Sequence, residues 1–223
     1  MAKNIVYMGA HPDDILTAAG TLCLLAEQGF AVHEFCMTRG EHLDSNPETG
    51  AIRSREEEEV CEIIGAGLKF FDQPDGAVYA DKAICETVAA DLAALKPEAV
   101  ITLWALEKPD HAAVSQIARK ALSLAGLTWV TELYMCKVDI QNYAFRPEMY
   151  VNVGAAMPKV EAIARCYDTQ GANPYIAHAL QAKRLMGKSM FVEAAEAFMY
   201  GVDPINLRFH PEGNPGRVLR AIR

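Results

Sequence analysis

The sequence predicts an α/β fold, a Rossmann-like, mostly parallel β-sheet flanked by helices, with its site at the C-terminal strand ends. Three observations predict it. Short apolar, β-rich runs alternate with amphipathic helical stretches along most of the chain. Ile5 to Gly9, Thr17 to Gln28 and Phe30 to Met37 place strand, helix and strand in close succession, which makes a βαβ unit and hence a parallel pair. Polar, His- and Asp-bearing segments follow two of the β runs directly, where open α/β sheets bind ligands.

The first run, Ile5 to Gly9, is short and apolar, as a central strand should be. In the helix after it, Ala18, Leu22, Leu25 and Ala26 recur at helical spacing, and Gly29 closes it. Beyond Met37 the chain turns polar from Thr38 to Gly50, a loop long enough to be functional. A helix is expected from about Ser54, read as its N-cap, to Ile64. Its run Glu56 to Glu59 reads as a solvated start at the positive end of the helix dipole. Leu68 to Phe71 is a short strand, and Gln73-Pro74-Asp75-Gly76 a turn. Lys82 to Leu95 is a helix, Ala99 to Trp104 a strand, Ala112 to Ala125 a helix and Trp129 to Val138 a strand. Tyr150 to Val153 is a further short strand. Ala155 to Tyr167 and Pro174 to Met190 are amphipathic helices, Glu196 to Tyr200 is a strand or a helix end, and Phe209 to Arg223 reads as an extended or mobile tail.

The 223 residues contain no linker-like stretch, so one domain, 1–223, is expected. Apolar residues make up 51% and charged residues 22%, the composition of an ordinary soluble protein. The apolar stretches are too short or interrupted to span a membrane. Met1-Ala2-Lys3-Asn4 runs straight into the first strand without the features of a secretory signal, so a cytoplasmic location is expected. The net charge of −8 argues against a nucleic-acid partner. Cys23, Cys36, Cys61, Cys85, Cys136 and Cys166 are widely spaced, with no C-x-x-C pair. They read as buried thiols in a reducing compartment rather than as a disulfide or zinc framework.

The chemistry concentrates in Gly9-Ala10-His11-Pro12-Asp13-Asp14. If Pro12 starts a helix, His11 and Asp14 share one face and can reach one ion together. Catalytic zinc commonly takes three protein ligands and leaves a position for water. His111, after the 99–104 run, is the best placed third donor. Asp13 projects differently and is free to act as a general base toward water. Separately, each segment reads better as a structural histidine or a helix cap; together they favour a metal site. A nucleotide-binding reading lacks support, because there is no G-x-G-x-x-G and no P-loop.

Ala10-His11-Pro12-Asp13-Asp14 resembles the signature of the PIG-L/LmbE-type zinc-dependent de-N-acetylases. Thr38-Arg39-Gly40-Glu41 is similar to that family's loop after the second strand. Arg53 with its Glu-rich helix, Phe71 to Gly76, and Pro109-Asp110-His111-Ala112-Ala113-Val114 match in order and spacing. The resemblance covers the first half of the chain well and the helical remainder only loosely. It implies His11, Asp14 and His111 as ligands of one zinc ion, Asp13 as general base and Arg53 as a substrate contact. It also implies a small N-acetylated, N-acetylglucosamine-containing substrate and a homo-oligomer. Asp110 either supports the second motif or caps the helix that starts there.

Two features depart from the family pattern. Lys108 stands where that motif usually has a histidine that stabilises the charged intermediate; its cation either serves likewise or is a solvated loop lysine. Ile15 and Leu16 stand where an acidic residue is common. These departures motivate the alternative of a metal-binding member without deacetylase activity. Arg39 and Arg53 suit a phosphate, carboxylate or hydroxyl, and Tyr143, Phe145 and Tyr175 either stack on a sugar or pack. Of His33, His42, His178 and His210, none of which lies in a motif, His42 is the best placed to border the site; Arg146 likewise has no assigned role.

Overall fold

A computed structural model describes residues 3–42, 44, 46–138, 144–171, 174–201, 217–220 and 222. The chain forms β1 (Asn4–Gly9), a 3-10 turn (Asp14–Thr17), α1 (Ala19–Glu27), β2 (Ala31–Cys36), α2 (Thr49–Ile64) and β3 (Ala66–Phe70). Then come α3 (Lys82–Leu95), β4 (Ala99–Leu103), α4 (Pro109–Leu124), β5 (Glu132–Cys136) and β6 (Met149–Asn152). The last part holds 3-10 turns at Gly154–Ala156 and Asp168–Gln170, α5 (Met157–Cys166), α6 (Pro174–Ser189), β7 (Ala195–Tyr200) and α7 (Arg217–Arg220).

Among the described residues, one seven-stranded sheet has the order β3-β2-β1-β4-β5-β7-β6. The first five strands are mutually parallel, and β7 runs antiparallel to both β5 and β6. The expected α/β architecture is therefore present, with an antiparallel edge supplied by Glu196 to Tyr200, which is strand rather than helix end. β1, β4 and β5 are buried along nearly their whole length. Both faces of these strands are thus covered, which is why they read as continuous apolar runs rather than alternating ones. On the helical layers α3 packs with α4, while α5 packs with α1 and α2. In α1 every residue from Ala19 to Leu25 is buried, so this helix belongs to the core all round.

The strand order reverses between β1 and β4, both of which lead out to the same edge of the sheet. That crevice is where parallel sheets bind ligands. The segments after β1, β2, β3 and β4 all open onto it.

Three local readings are corrected. Pro12 does not begin a helix: Asp13 takes φ 105°, and a 3-10 turn starts only at Asp14. Ser54 is not an N-cap. The helix starts five residues earlier, at Thr49, and the Ser54 hydroxyl donates to Gly50 O at 2.7 Å inside it. The acidic run is not all solvated: Glu56 and Glu57 are buried, while Glu58 and Glu59 are exposed. The helix lies against the sheet and α5 on the Glu57 side, so two of the four acids turn inward and need polar partners.

All six cysteines are free thiols, five of them buried. No helix among the described residues is long and apolar enough to cross a membrane. Tyr143, His210 and most of the tail from Phe209 lie outside the described residues.

Candidate metal centre and catalytic cavity

The centre is built on the turn after β1. Asp14 Oδ2 accepts the backbone N–H groups of Ala10 (2.8 Å) and His11 (2.9 Å), folding its carboxylate back over the strand end. Tyr7, from inside β1, donates its hydroxyl to Asp14 O at 2.6 Å. The turn is closed by Asp13 in the left-handed region, which costs a non-glycine residue about 1–3 kcal/mol and persists only where surroundings enforce it. Glu57 enforces it from α2 by accepting the Asp13 N–H at 2.9 Å. Arg53, one turn earlier on α2, donates to Pro12 O and, at 3.0 Å, to Gly40 O, and lies 3.5 Å from Asp13 Oδ1. Two residues of one helix thus grip the turn from beneath.

The second half of the centre comes from β4 and α4. Pro109 occupies the first helical turn, so His111 stands on α4 rather than in a loop before it. His111 Nε2 lies 3.4 Å from Asp14 Oδ1, and His11 Nδ1 lies 3.6 Å from Asp14 Oδ2. One donor atom from each of His11, Asp14 and His111 fits within 4.8 Å of the others. Two imidazoles and a carboxylate, buried or nearly so and converging on one point, form a donor set that suits zinc or another divalent first-row ion.

The outer nitrogens of the two rings face carboxylates. His11 Nε2 is 3.0 Å from Asp75 and 3.4 Å from Asp110; His111 Nδ1 is 3.5 Å from Glu107. This is the arrangement that fixes ring orientation in metal sites. Asp75 and Asp110 are themselves held: Asp75 accepts the His42 N–H, and Asp110 accepts those of Gly76 and Val78. Asp110 thereby ties the loop after β3 to the start of α4.

The charges divide by environment. Burial opposes a proton on His11, but hydrogen bonds to Asp14 and Asp75 outweigh it and push the imidazole up to about 10. Burial likewise opposes charge on His111, and Asp14 again outweighs it. Asp14 is drawn below the usual carboxylate range, because His111 and His11 overcome the effect of burial. Asp13 moves the other way. Burial, then repulsion from Asp14, raise it to about 7 against the pull of Arg53. Asp14 is thus a fixed anion that draws positive charge to the centre, and a divalent ion would take the place of the two imidazole protons.

A cavity of about 640 Å³ opens over these groups. Asp13, Arg53 and Lys108 reach it, as do His42 and Tyr175. His42 therefore does border the site. His178, from α6, lines it too, without any signal in the sequence around it. Ile15 and Leu16 are fully buried in the core. Arg39 is not among the lining residues: it lies over the Phe70 ring at 4.5 Å and pairs with Asp72. Arg146 is exposed and outside the cavity lining, and His33 pairs with Asn4 on the opposite edge of the sheet.

Asp75, Glu57 and Glu107 were not selected from the sequence. Asp75 follows a parallel strand, β3, so the rule that selects His111 would have reached it. Glu107 stands four residues before His111. Glu57 carried no local signal, because burial of one acid in a run of four depends on what packs against the helix.

The family model described as GlcNAc-PI de-N-acetylase (PIG-L) matches residues 6–122, more than half of the chain and the part that carries both motifs. A 4-oxalmesaconate hydratase of Pseudomonas putida is 31% identical over 137 residues, 55% of this chain and 53% of that protein. A probable N-acetyl-alpha-D-glucosaminyl L-malate deacetylase 2 of Bacillus cereus is 30% identical over 142 residues, 55% of this chain and 62% of that protein. The matched region thus spans only about half to three-fifths of these relatives' length. A conserved protein of Thermus thermophilus superposes with a TM-score of 0.78 at 27% identity, covering 91% of this chain and 95% of the other. With its motifs, fold and matched region in agreement, the chain belongs to the PIG-L (GlcNAc-PI de-N-acetylase) family.

Proposed function

We propose that this protein is a zinc-dependent hydrolase that removes an N-acetyl or other N-acyl group from a small polar amine, N-acylated glucosamine-containing compounds, N-acetylglucosamine among them, being the leading class. The observation that carries the reading is the convergence of His11, Asp14 and His111 within 4.8 Å, with the buried Asp13 carboxylate beside them but outside the donor set. Family membership and a deacetylase relative support it.

Zinc held by His11, Asp14 and His111 would polarise the acyl oxygen and acidify the attacking water. Asp13 takes the proton from that water as the C–O bond forms, and returns it to the amine nitrogen as the C–N bond breaks. Glu57 and Arg53 keep Asp13 aimed through this exchange by holding its N–H and its carboxylate. Lys108 lines the cavity with a cation suited to the oxyanion of the tetrahedral intermediate. The products are a carboxylic acid and an amine. Six free cysteines support a reducing, cytoplasmic setting, and we take the working form to be a homo-oligomer by family analogy.

Asp13→Ala should lower kcat by about 10²–10⁴-fold while one metal ion per chain is retained. His111→Ala should lose both metal and turnover. Acetate release from N-acetyl sugars, with metal analysis of each variant, decides it: undiminished turnover in Asp13→Ala removes the assignment.

The 31% identical hydratase favours a second reading, in which water adds its OH and H across the C=C bond of an unsaturated oxo-acid, with Asp13 moving the proton. Loss of enone absorbance without release of any amine would select it. Bound zinc with neither reaction would instead leave a metal-binding member without deacetylase activity.

A further inference from the structure

Beside the catalytic cavity lies a second hollow of about 720 Å³, between α6 and the strands β5 and β7. It shares Val138, Tyr175 and His178 with the catalytic cavity, so the two spaces adjoin. Their linings differ in kind. The catalytic cavity is edged by His42, Arg53, Asp75 and Lys108. The second hollow is walled by Phe145, Ala179, Ala182, Leu185 and Met186, and its buried charges, Lys183 and Glu196, are paired with each other at 2.5 Å. Lys137 and Lys188 also line it, Lys188 being exposed. Leu185 stays 67% exposed although it faces this space.

An amide has two halves joined at the bond that breaks. Polar donors edge the catalytic cavity, and an apolar hollow of ordinary ligand size adjoins it. A polar amine suits the first, and a hydrocarbon acyl chain the second. An acetyl methyl group would leave that apolar surface uncovered.

We propose that the hollow between α6, β5 and β7 is an acyl-chain subsite, and that the enzyme acts on polar amines carrying a medium-chain N-acyl group in preference to N-acetyl. This rests on the hydrolase reading for its chemistry, but the subsite itself is testable without turnover. The bond changes are those of amide hydrolysis: water adds to the acyl carbon, the C–N bond breaks, and the nitrogen gains the proton.

Octanoate and acetate, the product acids of the two substrate classes, are titrated into the zinc-loaded protein by calorimetry. Each methylene moved from water to an apolar wall strengthens binding about fourfold. Octanoate, with six more methylenes than acetate, should bind at least about 100-fold tighter even with part of the chain exposed. Ala182→Trp, at an exposed α6 position outside the catalytic cavity, should fill the hollow and reduce that ratio below about tenfold, leaving acetate binding unchanged. Leu185→Glu provides a second variant at an exposed side chain and should act in the same direction. In the turnover arm, wild-type kcat/KM should favour N-octanoylglucosamine over N-acetylglucosamine, and Ala182→Trp should reverse the order.

Octanoate binding less than about tenfold tighter than acetate overturns the subsite, as does a ratio that neither variant changes. If N-acetylglucosamine is hydrolysed under those outcomes, the hydrolase reading stands alone. If octanoate binds as expected but no amide is cleaved, the subsite stands and the hydrolase reading falls. Sedimentation velocity tests the rival occupant: an oligomer dissociated by Ala182→Trp, with no octanoate preference in the wild type, makes the hollow an interface between copies and overturns the subsite.

Discussion

Asp13 shows how much one residue depends on its supports. Its backbone is strained, its side chain is buried, and its N–H donates to the carboxylate of Glu57. Glu57→Leu should therefore release the turn and lower kcat by about 100-fold while metal content and KM stay near wild type. Glu57→Gln, whose side-chain oxygen still accepts the N–H, should recover most of that loss. Metal analysis and steady-state kinetics on both variants check this; equal losses in Gln and Leu would show that charge, rather than the hydrogen bond, matters. The family motif made Asp13 legible as the proposed base. Its dependence on Glu57 was not legible, since the two are 44 positions apart and meet only when α2 crosses beneath the β1 turn.

Among the elements, the loop after β2 and the helix α2 are locked to each other at Gly40. Gly40 has φ +65°, and a Cβ placed there would lie 2.1 Å from Arg53 Nη1. Gly40→Ala must displace either the loop or the guanidinium, which also holds Pro12 O. The expected result is a loss of about 2 kcal/mol in unfolding free energy, read by denaturant titration, with a fall in turnover. A variant with wild-type stability and kinetics would mean the loop relaxes without moving Arg53. A similar tie anchors α1: Glu196 on β7 accepts the N–H groups of Gly20 and Thr21 at the helix start, and Lys183 on α6 neutralises it. The sequence predicted these helices from their periodicity. It placed the start of α2 five residues late, because Ser54 has the chemistry of a cap but sits inside a helix that Thr49 already begins.

At the scale of the whole molecule, acidity is stored under the site. Glu34 on β2 is fully buried beside Glu57 and accepts the Cys61 thiol at 3.0 Å. Burial raises its carboxyl to about 7 from an ordinary 4.5, although the bonds from Cys61 and Glu57 pull it down. The unfolded chain releases this proton from about pH 4.5, whereas the folded protein keeps it to about 7. Stability is therefore greatest below the lower value, falls as pH rises between the two, and levels off above the upper one. The integrated loss is on the order of 3 kcal/mol. Glu34→Gln should flatten this fall, gaining on the wild type from pH 5 to pH 7 in unfolding free energy, on the order of 1–3 kcal/mol. Parallel pH profiles for the two proteins would refute it.

By itself the sequence determined the alternation of strand and helix and the two motifs after β1 and β4. These are local properties: side-chain period, turn chemistry and residue type are written in consecutive positions. Only the tertiary structure decided that β1 and β4 are neighbours at the reversal of strand order, which brings His111 within 3.4 Å of Asp14. It also decided which acids of the Glu56 to Glu59 run turn inward, which partner strains Asp13, and where an apolar hollow adjoins the polar cavity. Each of these depends on packing between elements far apart in the chain, where burial changes what a carboxylate or a leucine does without changing the residue.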